Sequence, residues 1–153
     1  MLIKTRHFGE VDIADDRILT FDNGILGFED HKQYTLLYDS SEGERPPVSW
    51  LQCCDIPELA IPVISPLGIA EDYNPDVEDE LLKPLGELTD ENIVLLTTLT
   101  VPADVKKMSI NLRAPIIINS DNCKGAQIIV ENQDFPIKYE IYDILQAKKE
   151  GRA

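Results

Sequence analysis

The sequence predicts a mainly β protein: a small antiparallel β-barrel with one to three short helices. Three observations carry this expectation. Short runs alternate apolar and polar residues with period two. Turn residues separate those runs at a spacing of roughly ten residues, as in sandwiches and barrels. Ten prolines interrupt any long element. A barrel suits so short a chain because closure leaves no sheet edge to pair with another molecule. The 153 residues make one domain, and 43% apolar content supports a core without disulfide or metal staples. The barrel is placed at residues 1–140, and residues 141–153 read as a C-terminal helical tail.

Residues 2–6 and 10–13 flank a turn at Phe8-Gly9, and residues 17–21 follow the acidic turn Asp15-Asp16. Asn23-Gly24 marks the next turn, since both residues tolerate positive φ. Gly27 permits a close approach or positive φ before Phe28 packs inward. Residues 34–38 place Tyr34, Leu36 and Tyr38 on one face, and residues 48–52 and 60–64 supply two further strands. The longest strand is expected at 93–101, with Ile93, Leu95, Leu99 and Val101 sharing a face with Thr97. Met108, Ile110 and Leu112 face one way, and strands at 116–118 and 126–131 complete the set. Residues 76–82 follow Pro75 and suit a helix start, while 142–149 combine good helix formers with two C-terminal lysines.

Charge excludes several function classes. Twenty-eight acids against 14 Lys and Arg give a net charge of −14 and a pI near 4.4. Such a chain is unsuited to bind nucleic acid directly or to dock on anionic lipid, and is suited to attract basic partners. Residues 71–91 carry nine acids and one base, Lys83. The densest part, Glu71, Asp72, Asp76, Glu78, Asp79 and Glu80, is a candidate partner-binding surface. On a helix over 76–82, Asp76, Asp79 and Glu80 would share one face while Val77, Leu81 and Leu82 turn toward the barrel. Trp50 joins the candidates because Trp is enriched in binding hot spots. Asn111 joins them because it alternates away from Ile110 and Leu112, leaving its amide exposed or bonded to a neighbouring loop. The absence of a signal-type apolar region and of a bilayer-length apolar run makes the chain read as cytoplasmic.

Catalytic and metal signatures are weak. Asp72-Tyr-Asn74-Pro-Asp76 opens like a calcium loop, but Val77 and Lys83 occupy the positions that need Gly and a bidentate Glu. His7 and His31 are far apart, with no cysteine at zinc-ligand spacing, so no metal or other cofactor is expected. Cys53, Cys54 and Cys123 read as two small core residues and one loop thiol. Two alternatives stay open: an acidic, calcium-type cation-binding domain, and a small cysteine hydrolase built on a Cys53–His31–Asp grouping.

An ordered set of motifs carries more than composition does. Phe21-Asp-Asn-Gly24-Ile-Leu-Gly27-Phe28-Glu29 resembles the N-terminal signature of the flagellar assembly factor FliW family. Trp50-Leu51-Gln52, the run from Ala60 to Pro66, Tyr73, Asn111-Leu-Arg-Ala-Pro-Ile-Ile-Ile-Asn119 and Gly125-Ala-Gln127 follow in matching order. Leu26, Cys53, Ile61 and Phe135 depart from the family's usual Pro, Ser, Phe and Tyr. The resemblance implies a non-enzymatic barrel without catalytic residues; the patterning itself leads us to expect a barrel that is monomeric or weakly associating when free. The resemblance also implies two partners, flagellin and the basic RNA-binding repressor CsrA. By this resemblance the protein antagonises CsrA, so that flagellin mRNA is translated, and accumulating flagellin displaces it.

Overall fold

The computed structural model describes residues 1–37, 48–67, 69–70, 73–132 and 134–149. Its strands are β1 (Leu2–Lys4), β2 (Glu10–Asp12), β3 (Leu19–Phe21), β4 (Gln33–Leu37), β5 (Val48–Cys53), β6 (Ala60–Ile64), β7 (Ile93–Thr100), β8 (Ser109–Ile110), β9 (Ile116–Asn119), β10 (Lys124–Gln127) and β11 (Tyr139–Glu140). Helices α1 (Asp79–Leu82) and α2 (Tyr142–Lys149) are short. Strands β3, β4, β5, β6, β7, β9 and β10 close a seven-stranded barrel, β8 and β11 extend it beside β7, and β1 and β2 form a separate hairpin.

The ring holds one parallel pairing. Seven strands cannot alternate direction all the way round, so at least one neighbouring pair must run parallel. That pair is β3–β10, with Thr20 opposite Lys124 and Phe21 opposite Gly125. Gly125 is needed there: a Cβ on it would lie 2.7 Å from Cε2 and Cζ of the fully buried Phe21 ring. The interior is filled by Phe21, Tyr34, Leu51, Cys53, Leu96 and Ile116 among others.

Much of the outer wall is covered too, which explains runs with no alternation. Ile116 and Ile118 point into the barrel, whereas Ile117 packs outside with Leu85 and Ile128, joined by Val77, Leu82 and Leu88. Strand β7 is apolar on both faces for the same reason. Leu96 and Val94 face the interior, Leu95 meets the 77–88 segment, and Leu99 joins Ile64, Ile110, Leu112 and Ile141. The single apolar face expected for 93–101 is therefore corrected, with Ile93 and Val101 largely exposed. Leu145 of α2 also packs against that third cluster, so the tail docks on the barrel wall.

Two local expectations change. Phe28 does not pack inward but is 41% exposed. The turn before it is as expected, with Gly24 at φ 68° and its amide donating to Phe21 O at 2.8 Å. The strand expected at 126–131 forms at Lys124–Gln127. Beyond it the Ile128 and Val130 amides still donate to the Pro115 and Arg113 carbonyls. The Tyr34–Leu36 face points inward as expected, while Tyr38 lies outside the described residues.

Candidate functional site

The acidic segment is built differently from the expected helix. Helix α1 spans only Asp79–Leu82 and runs into a 3-10 turn at Lys83–Leu85. Asp76 lies outside it, on extended chain, so the expected Asp76–Asp79–Glu80 face does not form. Asp76 is instead stitched to the segment that follows β10: Glu131 N donates to its carbonyl at 2.9 Å, and Asn132 Nδ2 donates to its carboxylate at 3.0 Å. The cause is legible in local alternation. Tyr73, Pro75 and Val77 are half-buried while Asn74, Asp76 and Glu78 are exposed, a period-two pattern that turns the apolar side chains inward and both acids to solvent. Pro75 also holds Asn74 in extended geometry.

The result is a strap with an apolar underside and an acidic outer face. Val77, Leu82, Leu85 and Leu88 press on the barrel wall, and Leu81 points to solvent against expectation. Asp76, Glu78, Asp79, Glu80, Glu87, Asp90 and Glu91 are all exposed, and the Lys83–Glu80 pair at 2.7 Å neutralises one of them. Glu71 and Asp72 lie outside the described residues. Upstream, the Tyr73 hydroxyl donates to Leu112 O at 2.6 Å and its ring meets Phe135 at 4.9 Å. Burial pushes that hydroxyl up to a pKa of about 12. Downstream, Asn119 Nδ2 donates to the Leu85 and Glu87 carbonyls, and Asn92 Nδ2 to Glu87 O and to Asp121.

The two remaining candidates sit elsewhere. Trp50 is half-buried on the outer face of β5, opposite Leu37 and Pro62, with the exposed His7 ring 3.9 Å away. Asn111 spends its side chain locally, its Oδ1 accepting from Arg113 N at 2.9 Å and Ala114 N at 3.1 Å. Its carbonyl oxygen thereby shapes the turn before β9.

Sequence reasoning missed two glutamines that clamp the barrel. Gln52 is 1% exposed; its Oε1 accepts from Arg6 N, and its Nε2 lies 3.0–3.3 Å from the carbonyls of Cys53, Ile56, Pro57 and Leu59. It thereby fixes the β5–β6 turn. Gln127 accepts from Leu26 N and donates to Ala114 O, each at 3.0 Å, tying the Gly24–Gly27 turn to the 111–115 turn. A polar side chain ending an apolar strand is the signal that points to such a clamp.

The structure does bring His31, Cys53 and Asp55 together, one donor atom from each lying within 4.8 Å of the others. The zinc argument from sequence considered only local spacing; here the register of two strands supplies the proximity. Tyr34 of β4 stands opposite Cys53 of β5, and Cys54 N donates to Gln33 O at 2.9 Å, so residues just before β4 meet those just after β5. Tyr34 is fully buried, and its hydroxyl has no hydrogen-bond partner among the described residues. Burial, then Cys53 and Asp55, push that hydroxyl far above the ordinary phenol value. Burial first, with Cys53 and Asp55 adding, pushes the Cys54 thiol up to about 11. As a hydrolase triad the group fails on access, because Cys53 is 0% exposed and a nucleophile has to touch its substrate. A shallow cavity of about 270 Å³ opens elsewhere, near Arg17, Leu36 and Cys123, where the Cys123 thiol donates to Asp16 O at 3.1 Å.

Fold and surface together define a small closed β-barrel clasped by an acidic strap. The FliW protein family model matches residues 2–141. The flagellar assembly factor FliW of Lachnoclostridium phytofermentans is 52% identical over 98% of this chain and 97% of its own length. That of Lachnospira eligens is 51% identical over 97% of this chain and 99% of its own. A crystal structure of a flagellar assembly factor FliW superposes with a TM-score of 0.84 at 30% identity, covering 93% of this chain and 97% of the other. The chain belongs to the FliW family.

Proposed function

We propose that this chain is a flagellar assembly factor, the role its relatives are named for, acting in the cytoplasm as a non-catalytic post-transcriptional regulator. In this reading it binds and antagonises the RNA-binding repressor CsrA, relieves repression of flagellin mRNA, and is displaced when it binds flagellin. The observation that carries the reading is the strap. Its acids are held outward by an apolar underside and side-chain clamps, so the negative field has a fixed place on the surface. A fixed acidic surface speeds encounter with a basic protein and, once bound, repels RNA phosphates.

Glu78→Lys with Asp79→Lys tests the strap. Both residues are exposed and neither bears a clamp, unlike Asp76. Association with CsrA should slow several-fold at low salt. The difference should vanish near 1 M salt, where the Debye length is about 3 Å. Unchanged low-salt rates in a folded variant would remove the strap from the interface. Flagellin titrated into the preformed complex should release CsrA, and a stable ternary complex at saturation would refute simple exchange.

A further inference from the structure

The donor cluster at the open end of β4 and β5 is not used by the reading above. We propose that His31, Cys53 and Asp55 form a binding site for a zinc-class divalent cation, with the Tyr34 hydroxyl closing the fourth position. Four features support this.

The first is donor chemistry. One imidazole, one thiolate and one carboxylate are the donors that a borderline-soft d-block cation takes, and they disfavour Ca²⁺ and Mg²⁺, which require oxygen. The second is geometry. Zinc bond lengths of about 2.0–2.3 Å in a tetrahedron set ligand atoms roughly 3.3–3.8 Å apart. The observed separations of at most 4.8 Å need closing by about an ångström. Half-buried His31 and exposed Asp55 have room to make that adjustment, while the barrel core holds Cys53 in place.

The third is the orphan hydroxyl of fully buried Tyr34, the residue paired with Cys53 across β4 and β5 and packed in the same core cluster. A buried polar group without a partner is costly and calls for one. A cation, or a water bound to it, would supply that partner. The fourth is charge balance. Thiolate and carboxylate together neutralise a divalent ion, so loading leaves no net charge at the barrel end. Binding forms the metal–sulfur bond, breaks the S–H bond of Cys53 and releases that proton to solvent, with no change of oxidation state. Gln52 is a positioning residue here. Its amide fixes the turn carrying Asp55 from the position just before Cys53.

Titration of the reduced full-length chain with Co²⁺, followed by Zn²⁺ competition, tests the site. The expected result is one Co²⁺ per chain, with a thiolate-to-cobalt charge-transfer band in the near ultraviolet and tetrahedral d–d bands in the visible, all removed by Zn²⁺. Cys53→Ala should abolish the charge-transfer band, and Cys54→Ser and Cys123→Ser should keep it. His31→Ala and Asp55→Asn lie outside the core and leave the fold intact. Each should weaken apparent affinity by about tenfold or more, as changes around metal ligands do. Tyr34→Phe keeps the packed ring and should weaken binding comparably. Absence of a charge-transfer band at stoichiometric Co²⁺, or a band that survives Cys53→Ala, overturns the site. Full affinity in Tyr34→Phe overturns the fourth ligand.

Discussion

Replacing Gly125 by alanine adds one methyl group at the barrel's parallel seam. The new Cβ would lie 2.7 Å from two ring carbons of Phe21 and 3.3 Å from Ile118 Cγ1. Ordinary contact needs about 3.5–4.0 Å, so something has to move by the better part of an ångström. The Phe21 ring cannot swing away freely, because it is 0% exposed and packs edge-on against Tyr34 at 5.5 Å and 83°. The backbone cannot retreat without breaking the Thr20–Lys124 and Phe21–Gly125 pairing. Overpacking of this kind costs about 1–3 kcal/mol. At about 2–4 °C per kcal/mol for a chain this long, the melting temperature should fall by roughly 2–12 °C. Urea denaturation should show a lower midpoint with an unchanged slope. Phe21→Leu removes the clashing carbons, so the double variant should be more stable than the sum of the single losses, by about 0.5–3 kcal/mol of coupling. A Gly125→Ala protein as stable as the parent, or strictly additive losses, would refute the account of the seam.

Gln52→Leu removes the acceptor of the Arg6 amide and the side-chain donor that gathers the β5–β6 turn carbonyls, of which Ile56 O and Leu59 O keep their backbone donors. It should cost about 1–3 kcal/mol and accelerate amide exchange across residues 53–59. Leu85→Ala removes the most buried anchor of the strap and should cost about 2–5 kcal/mol in chemical denaturation. Asn119→Ala should loosen the 85–91 loop and speed its proteolysis under native conditions, and adding Asn92→Ala should speed it further, because Asn119 and Asn92 share the Glu87 carbonyl. Tyr73 has a raised pKa, so its neutral form is favoured in the folded state. Its contribution is complete below pH 10 and should be lost as pH rises toward about 12, a loss that Tyr73→Phe should reduce in alkaline unfolding curves.

Strands and turns were readable where one face of an element meets the core and the other meets water. The Asn23-Gly24 turn, the inward Tyr34–Leu36 face and the β5–β6 hairpin all appear where patterning put them. Where the wall is covered from outside, the strands at 116–118 and 93–101 form as expected, but which face points inward is not readable. Ile116–Ile118 and Leu95–Leu96 offer no alternation to interpret, since each face has its own apolar neighbour. The strap was misread because Pro75 and the following acids fit a helix start, while the competing alternation spans only six residues, 73–78. The clamps of Asn119 and Gln127 reach carbonyls distant in sequence, and no local pattern announces such bonds. The donor cluster was half legible. The sequence offers a Cys53–His31–Asp grouping, but only the β4–β5 register decides which acid stands beside His31 and Cys53.

The order of strands around the barrel bears on how the two candidate surfaces relate. The strap lies against β7, β9 and β10, since Leu95, Ile117 and Ala126 form its floor. The donor cluster belongs to the β4–β5 end, which β3 separates from β10 on one side and β6 separates from β7 on the other. No strand serves both. Loading the cluster exchanges one thiol proton for a divalent ion, a net gain of one positive charge against a chain total of −14. So small a change, placed away from the strap, barely alters the field that a basic partner meets. Thermodynamic linkage makes any coupling reciprocal: if the cation does not alter partner affinity, the partner does not alter cation affinity. The layout therefore favours a cation that stabilises one end of the barrel over a cation that switches partner binding. A regulatory role would require a packed element with two arrangements joining the β4–β5 turn to the strap. The described contacts hold the two apart, with Gln52 fixing the turn and Asn119 fixing the strap independently.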